Sequence, residues 1–197
     1  SNGKVFAFEP DPKARQLLQR NIKKNKALNI RVFPYALSEK DDHATFYSAS
    51  DSVYSSLLQP IGGDSNAKID VQIRRLDSIL AENGCLHVDV LKIDAEGAEL
   101  AILKGAQKTL KTNPNCAIIC EFSEEAQMAA GSTCESLFST FRGYGFKIYK
   151  YDFSKNRLIE ESAPKKYKYE NLIVSRDISI LNNRLQAFGQ PCNEIWQ

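Results

Sequence analysis

Residues 91–106, "LKIDAEGAELAILKGA", place two carboxylates, Asp94 and Glu96, on either side of Ala95 at the end of an apolar run. Carboxylates this close repel each other unless a proton, a hydrogen-bond donor or a cation lies between them, and such crowding can raise one pKa and make a base. Gly97 follows and lets the backbone turn tightly from strand to helix. Capping is the competing account: Asp94 would accept helix N–H groups, with Glu96 and Glu99 in a first turn that favours negative charge. That account covers Glu99 well, but one cap acceptor suffices, and the Asp94 and Glu96 pair is left over. Two further acids end apolar runs, Glu9 in "KVFAFEPDP" and Glu121 in "CAIICEF". Open α/β sheets bind ligands outside the carboxyl ends of their strands, so three strand-end acids together point to a site. Asp94, Glu96 and Glu121 are also hard oxygen donors suited to magnesium. Capping and base roles account for them without an ion, and no metal site is expected. His43 lies in a polar turn and His87 at the far end of the strand leading to Asp94, so both histidines are read as surface residues.

The elements that must position these acids follow from hydrophobic periodicity. "KVFAFEP" reads as a buried strand, and Asp11-Pro12 opens a helix in which Ala14, Leu17, Leu18 and Ile22 recur at helical spacing. "IRVFPYAL" (30–37) is a second strand, with Pro34 arguing against a central place for its far half. Residues 39–68 are rich in Ser, Asp, Gly and Asn and read as a hairpin and long loop around one short strand candidate, "ATFYSA". "IDVQIRRL" alternates as a half-buried strand, and Asp77 is placed to cap the short helix after it. "VDVLKID" and "CAIICEF" are buried strands separated by the helix "AELAILKGAQKTL". Ser132 and Glu135 make a capping box for a helix carrying Leu137, Phe138 and Phe141. "FKIYKYD" and "NLIVSR", joined by a polar connection, have the signature of an antiparallel hairpin. Strands alternating with helices imply a mainly parallel sheet in an α/β fold.

The 197 residues fit one domain, and 43% apolar residues suffice for a packed core. Lys and Arg number 26 against 24 Asp and Glu, so no global field argues for nucleic acid or a membrane surface. The run "KKYKY" (165–169) reads as a solvated hairpin with no function assigned. Five cysteines, Cys85, Cys116, Cys120, Cys134 and Cys192, are an odd count without C-x-x-C spacing. Reduced core thiols and a cytoplasmic location are expected, with no membrane span or signal peptide in this sequence.

"VFAFEPDP", "ALSEKDD", "RRLDSIL", "VLKIDAEGAELAILKGA" and "ENLIVSR" occur in an order that resembles FkbM-type methyltransferases over roughly residues 4–176. The resemblance implies a Rossmann-like class I methyltransferase sheet and S-adenosylmethionine as cofactor. It implies Glu9 on the ribose hydroxyls, the segment Ala36, Leu37 and Ser38 near the adenine, and Asp94 at the methyl-transfer end, itself in contact with the cofactor. The reaction would be O-methylation of a hydroxyl on a small molecule, sugar or natural product, with Asp94 or Glu96 as the base. Residues 48–68 and 123–133 are candidate walls for the acceptor. The methyltransferase domain would run over 1–176 and a helical tail over 177–197.

Such enzymes also share a first strand and a glycine-rich loop of the type D-x-G-A-N-x-G, and no segment of this sequence matches it. Gly62-Gly63 lies in a polar loop and Gly143-Tyr144-Gly145 follows a helix, so neither stands in. The expectation is therefore the C-terminal portion of a longer methyltransferase, its sheet completed by an N-terminal segment or by a second copy in a homodimer. Two other classes remain open. A nicotinamide-dependent oxidoreductase would also place an acid after its second strand, but leaves the "IDAEGAE" block unexplained. A non-catalytic interaction module is favoured by the missing glycine loop.

Overall fold

The structure, a computed structural model, describes residues 3–48 and 67–187. Most of the expected long loop and first acceptor wall, at 49–66, lies outside the described residues, as does the end of the expected tail at 188–197. The chain forms two compact units, Ser1–Cys85 with Ala101–Gln107, and Leu86–Leu100 with Lys108–Gln197.

In the first unit, β1 (Val5–Phe8) pairs in parallel with β2 (Ile30–Phe33), Phe8 opposite Phe33. The α1 helix (Pro12–Lys24) joins them and starts as the sequence predicts, the Asp11 carboxylate accepting from the Lys13 and Ala14 N–H groups. The expected single strand over 30–37 is two strands. Pro34 cannot donate to a ladder, and β3 (Tyr35–Leu37) leaves β2 to pair in parallel with β5 (Ala67–Arg74). The other side of β5 pairs antiparallel with β4 (Asp42–Ser48), and Ala36, Phe46, Val71 and Ile73 form the core of this three-stranded sheet.

The α2 helix (Leu76–Glu82) corrects a second expectation: Arg75 is its N-cap, and Asp77 already lies in the first turn. The cap acceptor comes from far along the chain. Asp41 accepts from the Arg75 N–H at 2.7 Å and the Ser78 hydroxyl at 2.8 Å, with the Arg74 and Arg75 guanidinium groups beside it. Desolvation pushes the Asp41 carboxyl up, but these donors outweigh it and hold it at about 2. Near the end of α3 (Glu99–Gly105), the backbone comes so close to Ser38 that a Cβ on Gly105 would stand 2.0 Å from the Ser38 carbonyl oxygen.

The sheet of the second unit has the order β6 (Val90–Ile93), β7 (Ala117–Phe122), β10 (Glu170–Ser175), β8 (Lys147–Asp152), β9 (Arg157–Glu160). Parallel pairing joins β6 to β7, while β10 runs antiparallel to both β7 and β8. The two expected terminal strands are thus antiparallel neighbours, but β10 is inserted inside the sheet. The strand at that edge is β9, absent from the sequence expectation, which forms a hairpin with β8. Antiparallel pairing is more extensive than that one hairpin. Among the described residues, β1 has a ladder partner on one side only, as does β6.

The helix expected over 98–110 is divided: Gly105 is a poor helix former, Ala106 bonds back to the Leu103 carbonyl, and α4 (Gln107–Thr112) begins anew. Two more helices, α5 (Glu124–Ala129) and α6 (Cys134–Gly143), follow β7, and the cap of α6 is Thr133 rather than Ser132, its hydroxyl accepting from the Ser136 N–H. Within "KKYKY", Tyr167 is 5% exposed and its ring meets Phe122 and Phe138, so this run contributes a core residue instead of a solvated hairpin. The described part of the tail, α7 (Ile178–Ala187), is helical and receives a hydrogen bond from Asn156 at the Leu185 carbonyl. Among the described residues, Cys85, Cys116, Cys120 and Cys134 form no disulfide. No helix among the described residues is long and apolar enough to cross a membrane.

Arg176 ties the helix ends of this unit to the end of β10. Its guanidinium donates to the carbonyls of Leu110 (2.8 Å), Asn113 (3.3 Å) and Tyr144 (2.9 Å), and lies 3.9 Å from the centre of the Phe146 ring. These are carbonyls that helix C-termini leave without intrahelical partners. Lysine cannot reproduce a planar fork that serves three acceptors and a ring face. Arg176→Lys is therefore expected to lower stability by about 2–4 kcal/mol, read as a reduced denaturation midpoint with an unchanged slope in urea.

Candidate functional site

Strand register assembles the acidic cluster. Ile93 stands opposite Cys120 in the parallel β6–β7 pair, so the next residues, Asp94 and Glu121, are neighbours. On the other side, Asn171 of β10 stands opposite Glu121. The result is a row, Asp94, Glu121, Asn171, across three adjacent backbones spaced about 4.8 Å apart. Lys92, two residues before Asp94 and hence on the same side of β6, places its ammonium 2.6 Å from Asp94 Oδ2 and 3.2 Å from Asn171 Oδ1.

The turn after β6 adds Glu96. Glu96 has φ +49° and Gly97 φ +99°, so the chain passes through the left-handed region twice in succession. This conformation is strained for Glu96, by about 1 kcal/mol or more. Two contacts hold it. The Ala95 N–H donates to Glu99 Oε1 at 2.8 Å, and Gly97 packs so tightly on α5 that a Cβ would stand 2.5 Å from the Ala126 carbonyl oxygen.

The two buried acids of this region differ in kind. Glu99, 1% exposed, accepts from Ala95 N–H and from the Gln127 side chain, so the capping account holds for it. Glu121 is also 1% exposed, and neither of its carboxylate oxygens has a hydrogen-bond partner. Burial pushes the Glu121 carboxyl up to about 7; the nearby Tyr169 hydroxyl opposes the shift from outside hydrogen-bonding geometry, and the charges of Asp94, Glu96 and Glu99 add to it. Glu96 is raised by burial and then by Asp94 and Glu99. One oxygen each from Asp94, Glu96 and Glu121 lie within 4.8 Å of one another. Such a group can share a proton, accept from the hydroxyls of a ligand, or hold a cation.

Glu9 belongs to the first unit and ends β1, its N–H bonded to the Phe33 carbonyl. Its Oε1 accepts from the Asp11 N–H at 2.9 Å, and Arg15 clamps the turn by donating to the carbonyls of Glu9 and Pro10. Burial raises its pKa, against the lowering by the Asp11 N–H. Ala36 is buried in β3, Leu37 ends that strand, and the Ser38 N–H bonds to the Arg74 carbonyl. His43 and His87 are exposed surface residues paired with Asp70 and Asp89, as expected.

Of the residues picked out from sequence, Asp94 and Glu96 come together with Glu121, while Glu9, Ala36, Leu37 and Ser38 are in the first unit. Lys92, Asn171 and Tyr169 were missed. Lys92 alone had a local signal, its i, i+2 spacing from Asp94.

A model of the methyltransferase FkbM domain matches residues 1–148. Methyltransferase sdnD of Sordaria araneosa is 28% identical, over 53% of this chain and 52% of its own length. The 2-O-methyltransferase NoeI of Sinorhizobium fredii (strain NBRC 101917 / NGR234) is also 28% identical, over 54% of this chain and 49% of its own. The chain thus spans about half the length of these curated relatives. Its fold is similar to the crystal structure of methyltransferase FkbM from Methylobacillus flagellatus KT, with a TM-score of 0.50 and 17% identity, covering 87% of this chain and 36% of that one.

The strained turn yields a direct test. Gly97→Ala forces a Cβ against backbone and into an unfavourable φ, and a loss of about 2–4 kcal/mol is expected. The thermal midpoint measures it, with Gly131→Ala, whose Cβ meets nothing within 4 Å although its φ is also positive, as the comparison for conformation alone.

Proposed function

The chain belongs to the FkbM methyltransferase family, and on that premise we propose that it serves S-adenosylmethionine-dependent O-methylation of a hydroxyl on a small molecule, sugar or natural product. The observation that carries this reading is the match of that family's model to residues 1–148, within which β1 and β6 each run into a carboxylate. When bound, the cofactor supplies an electrophilic methyl group on a sulfonium sulfur.

Glu9 suits the ribose. It ends a parallel strand and is partly buried, and the Asp11 N–H fixes its carboxylate through one oxygen. A preset carboxylate binds vicinal hydroxyls through charge-assisted hydrogen bonds. For the adenine, the half-buried Leu37 and Ser38 side chains are the groups available in the segment Ala36, Leu37 and Ser38, since Ala36 packs in the core of its own sheet. Asp94 is assigned to the methyl-transfer end. Transfer to a hydroxyl is an in-line displacement, in which the protein aligns the reactants and a carboxylate takes the departing proton. Asp94 and Glu96 are the pair for that role, and the name of the similar NoeI, a 2-O-methyltransferase, supports oxygen as the atom methylated.

Calorimetric titration with S-adenosylmethionine and with NAD tests the class. Saturable binding of the first alone is expected; binding of neither would favour a non-catalytic module or a portion that needs the rest of a longer methyltransferase, and preference for NAD an oxidoreductase. Glu9→Ala should weaken S-adenosylmethionine binding by about 1–3 kcal/mol with the fold retained. Unchanged affinity would remove Glu9 from the ribose. Asp94→Asn should lower turnover by about 10²–10⁴, followed as S-adenosylhomocysteine release over a panel of hydroxyl acceptors. Its melting temperature should stay near wild type, because the Lys92 ion pair it loses is exposed.

A further inference from the structure

We propose that Asp94, Glu96 and Glu121 form a binding site for a hard divalent cation of the magnesium and manganese class. Three observations carry it together. One oxygen from each side chain lies within 4.8 Å of the other two. Oxygens around a single ion, at metal–oxygen lengths of about 2.0–2.6 Å, stand about 3–5 Å apart, so the three fit one coordination sphere with little movement. Second, Glu121 is 1% exposed and neither of its oxygens has a partner in hydrogen-bonding geometry, the neighbouring Tyr169 hydroxyl lying outside it. A buried carboxylate without donors is costly, and it becomes favourable only with a proton or a cation beside it. Third, the buried acid next in sequence to the turn, Glu99, is fully engaged by the Ala95 N–H and Gln127. These donors go to Glu99, and Glu121 receives none of them.

Charge and donor type specify the ion. Lys92 holds Asp94 Oδ2 at 2.6 Å and offsets one of the three carboxylate charges, leaving two for a divalent cation. All three donors are carboxylate oxygens, which suit magnesium, manganese and calcium more than zinc or copper. The Asp94 side chain is 38% exposed, so water can complete the coordination, as magnesium prefers. The strained φ of Glu96 has a reason in this site, because it turns the third carboxylate toward the other two.

The inference goes beyond the methyl-transfer reading and is tested without cofactor or acceptor. Manganese(II) added to the full chain is followed by the loss of its free electron paramagnetic resonance signal, with magnesium and calcium as competitors. One saturable ion per chain is expected. Glu121→Gln keeps the side-chain shape and removes an unpaired buried charge, so it should fold as well as wild type yet bind manganese about tenfold more weakly or worse. Glu96→Gln should act in the same direction, and Glu135→Gln, on the exposed side of α6, should not. Absence of saturable binding, several equivalent ions per chain, or unchanged affinity in Glu121→Gln would each overturn the site. Because S-adenosylmethionine binding is measured separately, failure of the cation site leaves the family reading standing, and the reverse also holds.

Discussion

The register between β6 and β7 is the constraint from which the candidate site follows. With Ile93 set opposite Cys120, Asp94 and Glu121 must be neighbours, and the antiparallel β10 brings Asn171 into the same row. A slip of one residue would turn each strand's apolar set toward the wrong face. The buried residues Ile118, Cys120, Leu172 and Val174 forbid such a slip. Hydrophobic packing, which has no chemistry of its own here, therefore decides which acids meet.

The supply of hydrogen-bond donors then makes those acids unequal. Glu99 and Glu121 are equally buried, yet one sits among donors at the start of a helix and the other faces two carboxylates. The first is a structural anchor whose charge the helix terminus favours. The second is a poised group, held by strands that would be as well packed around an apolar residue. Glu96 belongs with the second kind, since a left-handed backbone at a residue other than glycine persists only where its surroundings impose it. Ala126, pressed against Gly97, is part of that imposition.

Much of this was legible in the sequence where the signal was local. Apolar runs placed β1, β5, β6 and β7, and the Asp94 and Glu96 pairing stood out because capping needs only one acceptor. Asp11 read correctly as a cap because its partners are two and three residues away. What failed depended on distant partners or on one-residue offsets. Asp41 caps α2 from 34 residues upstream of Arg75, so the nearer Asp77 looked the better choice. Ser132 and Thr133 are both competent caps, and composition cannot choose between adjacent ones. Pro34 announced a break, but the assignment of β2 and β3 to different sheets rests on β1 and β5. Tyr167, among four lysine and tyrosine neighbours, hides a core contact to Phe122 and Phe138 that polarity alone argues against.

The place of β10 has a consequence for the newly made chain. It is synthesised after the other strands of its sheet, yet it lies inside that sheet, bonded to β7 on one side and β8 on the other. While residues 170–176 are still within the ribosome, β7 and β8 each lack a ladder partner, and Leu110, Asn113 and Tyr144 lack the guanidinium that binds their carbonyls. Pairings that span such sequence distances form late, and unpaired apolar strands invite association with other chains. Translation of the second unit thus passes through a window in which two strand edges wait for one segment.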